Sequence, residues 1–415
     1  MESSVPPPYS TELPSSPPYS SAALGHGEQL HPQLSQPTSS SSTQEYVYGT
    51  PHLELNLGPK IWGTPNPSYG RNASVEGVVT IKGSLDKIIR ATARLEGKIV
   101  TLASERGLIT SSLNLSIVSV RADIYPSHPN ASAQYSFSLP FPTYVSGKNY
   151  LLPPTCSIYH PGITCDITYE LRIDLTRKGM RRHETIRALL NFLPRSYARA
   201  AIPTSIPCFL GDPSCPSWAH AMSSGFKVIQ IEPKWTQNCE QSHCSGIPRA
   251  FLTLPAPTSY PATRPIPLSL TILCPNSPAL TKLLLPTIRI LLVRRSTLWV
   301  DGGRRISKRE VVLGGADIHR IDESREGASV MMCELCLNRN VSEISCFIEG
   351  VLAQQHIIRI SLRPPSNTAN RLPAFHHDEL VELTTDSRDG LGSEHSLDEA
   401  QNLPALSLTS TRGSV

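Results

Sequence analysis

From Cys165 to Thr176 the chain alternates without a break. Ile167, Tyr169, Leu171, Ile173 and Leu175 take turns with Thr168, Glu170, Arg172, Asp174 and Thr176. A period of two marks a strand with one buried and one wet face. At ~3.3 Å per residue the run reaches roughly 40 Å, about twice an ordinary strand, so it needs a large sheet to pair with. It leads into the basic turn Arg177-Lys178-Gly179-Met180-Arg181-Arg182-His183, where Gly179 accommodates positive φ. A second β run returns through Ile186 to Phe192, and Pro194 stops it.

The same signature recurs on both sides. Leu53, Leu55 and Leu57 alternate, and Ser74 to Ile81 follows. Ile89, Ala91, Ala93 and Leu95 then face one way, with Arg90, Thr92, Arg94 and Glu96 opposite. Ala133, Tyr135, Phe137 and Leu139 form the next, ended by Pro140-Phe141-Pro142. Residues 198–225, rich in proline, serine, alanine and glycine, read as a connector. Beyond it, Phe226–Ile231, Ala250–Leu254, Leu268–Leu273, Thr287–Val293, Thr297–Val300, Val311–Leu313, Val330–Leu337, Ile344–Leu352 and His356–Leu362 are short and β-branched enough to be strands. A chain of 415 residues has room for two domains. Turn-separated strands without a long amphipathic helix predict an all-β fold of two tandem antiparallel β-sandwiches, over 51–197 and 226–363.

A formal net charge of +4 and termini without lysine or arginine runs argue against nucleic acid. No apolar leader follows Met1, and the greasiest run, Leu283 to Val293, is broken by Pro286 and Arg289. The expectation is a soluble cytoplasmic chain without a transmembrane segment, whose ten cysteines stay reduced and whose Asn-x-Ser matches at Asn72, Asn114, Asn130 and Asn340 carry no glycan. Nucleophile elbow, phosphate loop, zincin and dinucleotide signatures are all missing from the sequence, so no catalytic residue and no cofactor is assigned. Cys333-Glu334-Leu335-Cys336 is the one Cys-x-x-Cys. A zinc site there would need two more ligands, from Cys346 or from Cys239, His243 and Cys244. Strand alternation instead puts Cys333 and Leu335 on one face and Glu334 and Cys336 on the other, which reads as buried structural cysteine with no metal.

Both ends read as disordered. Residues 1–50 hold no lysine or arginine and are dominated by serine, proline, glutamine and tyrosine, too little apolar area to offset the entropy of ordering. Within them, Pro6-Pro7-Pro8-Tyr9 fits the Pro-Pro-x-Tyr pattern that WW domains bind. Prolines already in a polyproline helix dock on an aromatic groove at small entropic cost, and Tyr9 fills a neighbouring pocket. Pro17-Pro18-Tyr19 is a degenerate copy, with Ser16 in place of the first proline. Residues 364–415 read as an unfolded acidic tail. That tail either stays solvated or folds back on the basic turn, with Arg177, Lys178, Arg181 and Arg182 as acid or phosphate contacts, or on Arg294-Arg295 or Arg304-Arg305. Solvated charge is the favoured alternative, since surface ion pairs contribute less than ~1 kcal/mol each.

The block Tyr169, Leu171, Ile173, Leu175, Arg177 or Lys178, Gly179, followed by Leu193-Pro194-Arg195-Ser196, resembles the end of the N-terminal domain of arrestin-like proteins, especially the fungal arrestin-related trafficking adaptors. The Tyr69-Gly70 pair and the run Val75-Glu76-Gly77-Val78-Val79 also look like that domain, in which they precede a strand ending in a glycine, here Gly97, and Ile358 to Leu362 before Arg363-Pro364-Pro365 resembles the close of an arrestin C-domain. The resemblance implies immunoglobulin-like sandwiches and a non-enzymatic adaptor. Such an adaptor joins a membrane transporter or receptor tail to a WW-domain HECT-type ubiquitin ligase and drives ubiquitination and endocytosis, with recruitment to plasma membrane or endosomes. In this reading Pro6, Pro7 and Tyr9 recruit the ligase, with Pro17, Pro18 and Tyr19 as an auxiliary site. Two alternatives stand beside it: a retromer-type cargo scaffold without a ligase, and an enzyme whose residues converge only in three dimensions.

Overall fold

The computed structural model describes residues 44–82, 88–124, 134–178, 183–207, 225–235, 248–275, 278–323, 325–337, 343–365, 372–388 and 397–412. In its first half the strands are β1 (Glu45–Gly49), β2 (Leu53–Pro59), β3 (Ser68–Tyr69), β4 (Ser74–Ile81), β5 (Ile88–Glu105), β6 (Leu108–Asp123), β7 (Gln134–Pro140), β8 (Cys156–His160), β9 (Ile163–Arg177) and β10 (His183–Phe192). They form two facing sheets, β1-β2-β4-β7 and β3-β10-β9-β5-β6, with β8 alongside β9. Every pairing is antiparallel except the short β3–β10 contact.

The long alternating segment is β9, and it holds the centre of the larger sheet. It pairs with β5 along its whole length, with β10 from Tyr169 to Thr176, and with β8 from Ile163 to Ile167. Ile163, Cys165, Ile167, Tyr169, Leu171, Ile173 and Leu175 are all buried. Tyr169 is the largest of them; its hydroxyl donates to the Pro153 carbonyl at 2.6 Å, and its ring lies against Phe192 and Phe141 at 5.3 and 5.8 Å between centroids.

Gly97 was expected to end its strand. It sits instead in the middle of β5, because a Cβ there would meet the Tyr169 ring at 2.7 Å: the glycine is the slot the ring fills. The alternation also slips at the start of β5, where a register shift between Ile88 and Arg90 buries Ile88 and leaves Ile89 55% exposed, contrary to the inward assignment of Ile89. β1 lies inside the stretch read as a disordered arm, held by Tyr46, whose hydroxyl donates to the Thr64 carbonyl at 2.6 Å.

The second half contains β11 (Phe226–Ile231), β12 (Pro233–Lys234), β13 (Arg249–Pro255), β14 (Ser259–Pro261), β15 (Ile266–Leu273), helix α1 (Pro278–Leu284), β16 (Ile288–Val300), β17 (Arg305–Asp322), β18 (Ala328–Leu335), β19 (Cys346–Ile348), β20 (Leu352–Leu362) and β21 (Ala374–Thr384), with helix α2 (Leu397–Asn402) near the end of the described chain. The strand path is β11-β13-β15-β18-β17-β16-β20-β21-β12. β11 and β12 are neighbours in sequence yet close opposite ends of that path, so the sheet curls almost shut around its own apolar face.

Four expected segments change here. Thr287–Val293 and Thr297–Val300 are one continuous strand, because Arg294, Arg295 and Ser296, polar enough to suggest a break, all have partners within the fold. Val311–Leu313 is part of the much longer β17. Ile344–Leu352 is not a single strand: it folds into β19 and the start of β20 around a turn in which Gly350 has φ of 71°.

The core of the first sandwich continues into Leu298, Val300, Ile348, Val351 and Leu352 of the second. Polar contacts reinforce that seam. Arg305 Nη1 reaches Glu105 Oε1 at 2.7 Å, and Arg309 Nη1 donates to the Tyr159 carbonyl at 2.8 Å.

Candidate functional site

The called WW-motif residues Pro6, Pro7, Tyr9, Pro17, Pro18 and Tyr19 lie outside the described residues, as do Arg181 and Arg182. Of the basic turn, Lys178 is exposed, while Arg177 is half-buried at the end of β9 with Nε and Nη2 out of contact with solvent. Its charge acts inward, on Glu184. Burial pushes the Glu184 carboxyl up, but a bond from Thr50 Oγ1, the His52 N–H at 3.2 Å and the charges of His52 and Arg177 together hold it below the ordinary carboxylate range. Of the four expected contacts Arg177, Lys178, Arg181 and Arg182, only Lys178 is both described and exposed.

The reading of 364–415 as an unfolded tail does not hold for the described residues. β21 completes the second sandwich, pairing with β20 from Phe375 to Val381 and in parallel with β14 beyond. Its carboxylates are spent on basic partners: Asp378 on Arg295 and Arg359 at 3.0 and 2.8 Å, Glu379 on Lys227 at 2.7 Å, and Glu382 on Arg199 at 3.1 Å. Composition suggested a solvated segment, while the alternation of Phe375, Val381 and Leu383 into the core makes it a strand. Arg294 and Arg295 are therefore not free landing sites: Arg294 points to the buried Glu343, and Arg295 joins Glu310 and Asp378.

The tail meets the first sandwich at the Leu193-Pro194-Arg195-Ser196 element. The Ser196 N–H donates to Thr385 Oγ1 at 2.9 Å, the Thr385 N–H donates back to Ser196 Oγ at 3.1 Å, and the Asp386 N–H reaches the Ser196 carbonyl at 3.0 Å. Farther on, the Ala405 N–H bonds the Leu193 carbonyl at 2.9 Å, and Ala405 and Leu408 pack with Leu193 and Ile344. The Gly70 N–H donates to the Asn402 carbonyl at 3.2 Å, and a Cβ at Gly70 would meet the backbone of Gln401, Asn402 and Leu403 at 2.4 to 2.6 Å. Gly70→Ala is therefore expected to undock residues 397–412, losing about 1–3 kcal/mol as overpacking against backbone that cannot give way. Hydrogen exchange checks this: protection is lost in 397–412 and kept in β9, and unchanged protection in 397–412 contradicts it.

The surface best suited to a partner is the free edge of β6. Among the described residues β6 pairs with β5 alone, and on its other edge it makes one backbone bond, from the Ser146 N–H to the Ile117 carbonyl at 3.0 Å. From Leu108 to Val120 the strand carries neither a charge nor a proline, the residues that usually blunt an edge. Its protection is two register shifts, opposite Gly97/Lys98 and Ala103/Ser104. Leu113, Leu115 and Val120 turn partly inward, and Ser112, Asn114 and Ser116 face solvent. The β5–β6 turn, with Arg106 and Gly107 both at positive φ, holds Leu108 and Ile109 out at 73% and 68% exposure. β6 has a weak signature in the sequence, since its outward serines and asparagine dilute the apolar alternation.

Cys333 and Leu335 are buried on one face of β18 with Glu334 and Cys336 on the other, so the Cys-x-x-Cys pair does not converge. Burial pushes the Cys333 thiol up to about 12, away from the thiolate a metal requires. Cys239, His243 and Cys244 lie outside the described residues. No group of three or more histidine, cysteine or acidic side chains among the described residues could hold a metal ion. An open cleft of about 380 Å³ is lined by Arg199, Pro257, Phe347, Gln354, Leu380 and Glu382, and its Arg199–Glu382 pair is closed on itself at 3.1 Å. No helix among the described residues is long and apolar enough to cross a membrane. Compared with protein-family models and with curated proteins, the chain matches none.

Proposed function

We propose that this chain is a non-enzymatic adaptor of arrestin type, which brings a membrane transporter or receptor tail to a WW-domain HECT-type ubiquitin ligase and so promotes ubiquitination and endocytosis of the client. The observation that carries the reading is a Pro-Pro-x-Tyr motif, Pro6 to Tyr9, set ahead of a body of two joined β-sandwiches. In this reading the motif recruits the ligase while the β body holds the client. The body supplies a fitting surface: an extended client segment adds a strand to β6, taking its main-chain bonds from the open edge and apolar contact from Leu108 and Ile109. Such an adaptor works in the cytoplasm and is recruited to the plasma membrane or endosomes by its client. The test is titration of a labelled Met1–Ser20 peptide against a purified ligase WW array, beside the same peptide carrying Tyr9→Ala. Saturable binding that Tyr9→Ala abolishes is the expected result. Absence of binding by both peptides removes the ligase from the proposal.

A further inference from the structure

The turn between β8 and β9 enters the second sandwich through one side chain. His160 is fully buried, with Nε2 2.7 Å from Ser296 Oγ on β16 and Nδ1 2.9 Å from Ser307 Oγ on β17. In either neutral tautomer one ring nitrogen donates to its serine hydroxyl and the other accepts the proton of the second serine. Both ring nitrogens are satisfied with the imidazole neutral.

The surroundings do not favour a charge on that ring. From β17 it faces Arg309, whose guanidinium is fixed on the Tyr159 carbonyl, and from β16 it faces Arg294. On β9 its cross-strand neighbour is the apolar Ile163. The acids nearby are committed elsewhere: Glu343 accepts from Arg294, Gln354 and His356 of β20, and Glu105 of β5 pairs with Arg305. Among the described residues no ion pair involves His160. Burial first, and then the charges of Arg309 and Arg294, push its pKa below the usual histidine value.

We propose that His160 is an acid-sensitive clasp between the two sandwiches: neutral, it pins the β8–β9 turn into the β16–β17 hairpin, and protonated, it releases that contact. A protonated ring forces the serine hydroxyl that donated to it to reverse, and places a buried cation against two guanidiniums. The sign follows from linkage. The folded pKa lies below the open-state value near 6.5, so the clasp is intact above about pH 6.5 and weakens as pH falls toward the folded value. The inference does not depend on the adaptor reading.

Hydrogen exchange of the full chain at pH 7.5, 6.5 and 5.5, corrected for the intrinsic pH dependence of exchange, tests it. In the wild type, opening of β8 and of the β16–β17 hairpin is expected to rise up to about fivefold between pH 6.5 and 5.5 while the centre of β9 stays protected. His160→Gln, which keeps a neutral hydrogen-bonding side chain, is expected to flatten that rise. A wild type insensitive to pH over this range, or a His160→Gln chain as acid-sensitive as the wild type, overturns the proposal. Should His160→Gln fail to fold, Arg309→Gln gives an independent reading. With one guanidinium gone the acid-induced rise is expected to shrink, and an undiminished rise counts against the clasp.

Discussion

Tyr169→Ala is expected to cost about 3–5 kcal/mol of stability, the range for deleting a large buried aromatic. The ring is 1% exposed, packs against the stacked pair Phe141 and Phe192, occupies the slot left by Gly97, and its hydroxyl satisfies the Pro153 carbonyl. Removing it opens a cavity at the crossing of β5, β9 and β10. Tyr169→Phe keeps the ring and leaves that carbonyl unpaired, so it costs less, about 1–3 kcal/mol. From the other side of the contact, Gly97→Ala drives a methyl into the ring, which has no free direction to move, at about 1–3 kcal/mol. Urea denaturation followed by near-ultraviolet circular dichroism orders the three. Equal losses for Tyr169→Ala and Tyr169→Phe would mean that the ring does not anchor the core.

The second large effect belongs to Glu343→Ala. The carboxylate is 1% exposed and carries three charged or polar partners: Arg294 Nη1 at 2.5 Å, Gln354 Nε2 at 3.1 Å and His356 Nε2 at 3.2 Å. Removing one side of a buried ionic cluster leaves the rest uncompensated, and about 3–5 kcal/mol is expected. The loss should be local as well as global. Ser345 bonds both the Leu383 N–H and His356 Nδ1, so freeing His356 loosens the hold of the β19 approach on β21. Denaturation gives the total, and hydrogen exchange at β21 gives the local part. A loss below about 1 kcal/mol would show that the cluster is solvated rather than buried.

Legibility in the sequence follows the range of the interaction that sets each feature. Alternation is local, so β9, β10, β11 and β20 could be read to within a few residues, and the all-β class with them. Where pairing with a distant strand imposes a bulge, the local pattern misleads, as at Ile88 and Ile89. Gly97 was expected to close its strand by the family resemblance, and its value as space for the Tyr169 ring depends on the register between β5 and β9. β21 was hidden by its acids, whose basic partners Arg199, Lys227, Arg295 and Arg359 come from four separate segments. The His160 clasp and the Glu343 cluster have no sequence signature, since each is assembled from at least three elements.

The central claim concerns the arm and the body working together, and the most direct measurement uses the full chain. Isothermal titration of the full chain into a ligase WW array is expected to give saturable binding. Tyr9→Ala is expected to weaken it at least tenfold and Tyr19→Ala to weaken it far less, because Ser16 already breaks the second motif. If the full chain binds no tighter than Tyr9→Ala, Pro6 to Tyr9 is not a ligase-recruiting motif, and the adaptor account in its present form is wrong.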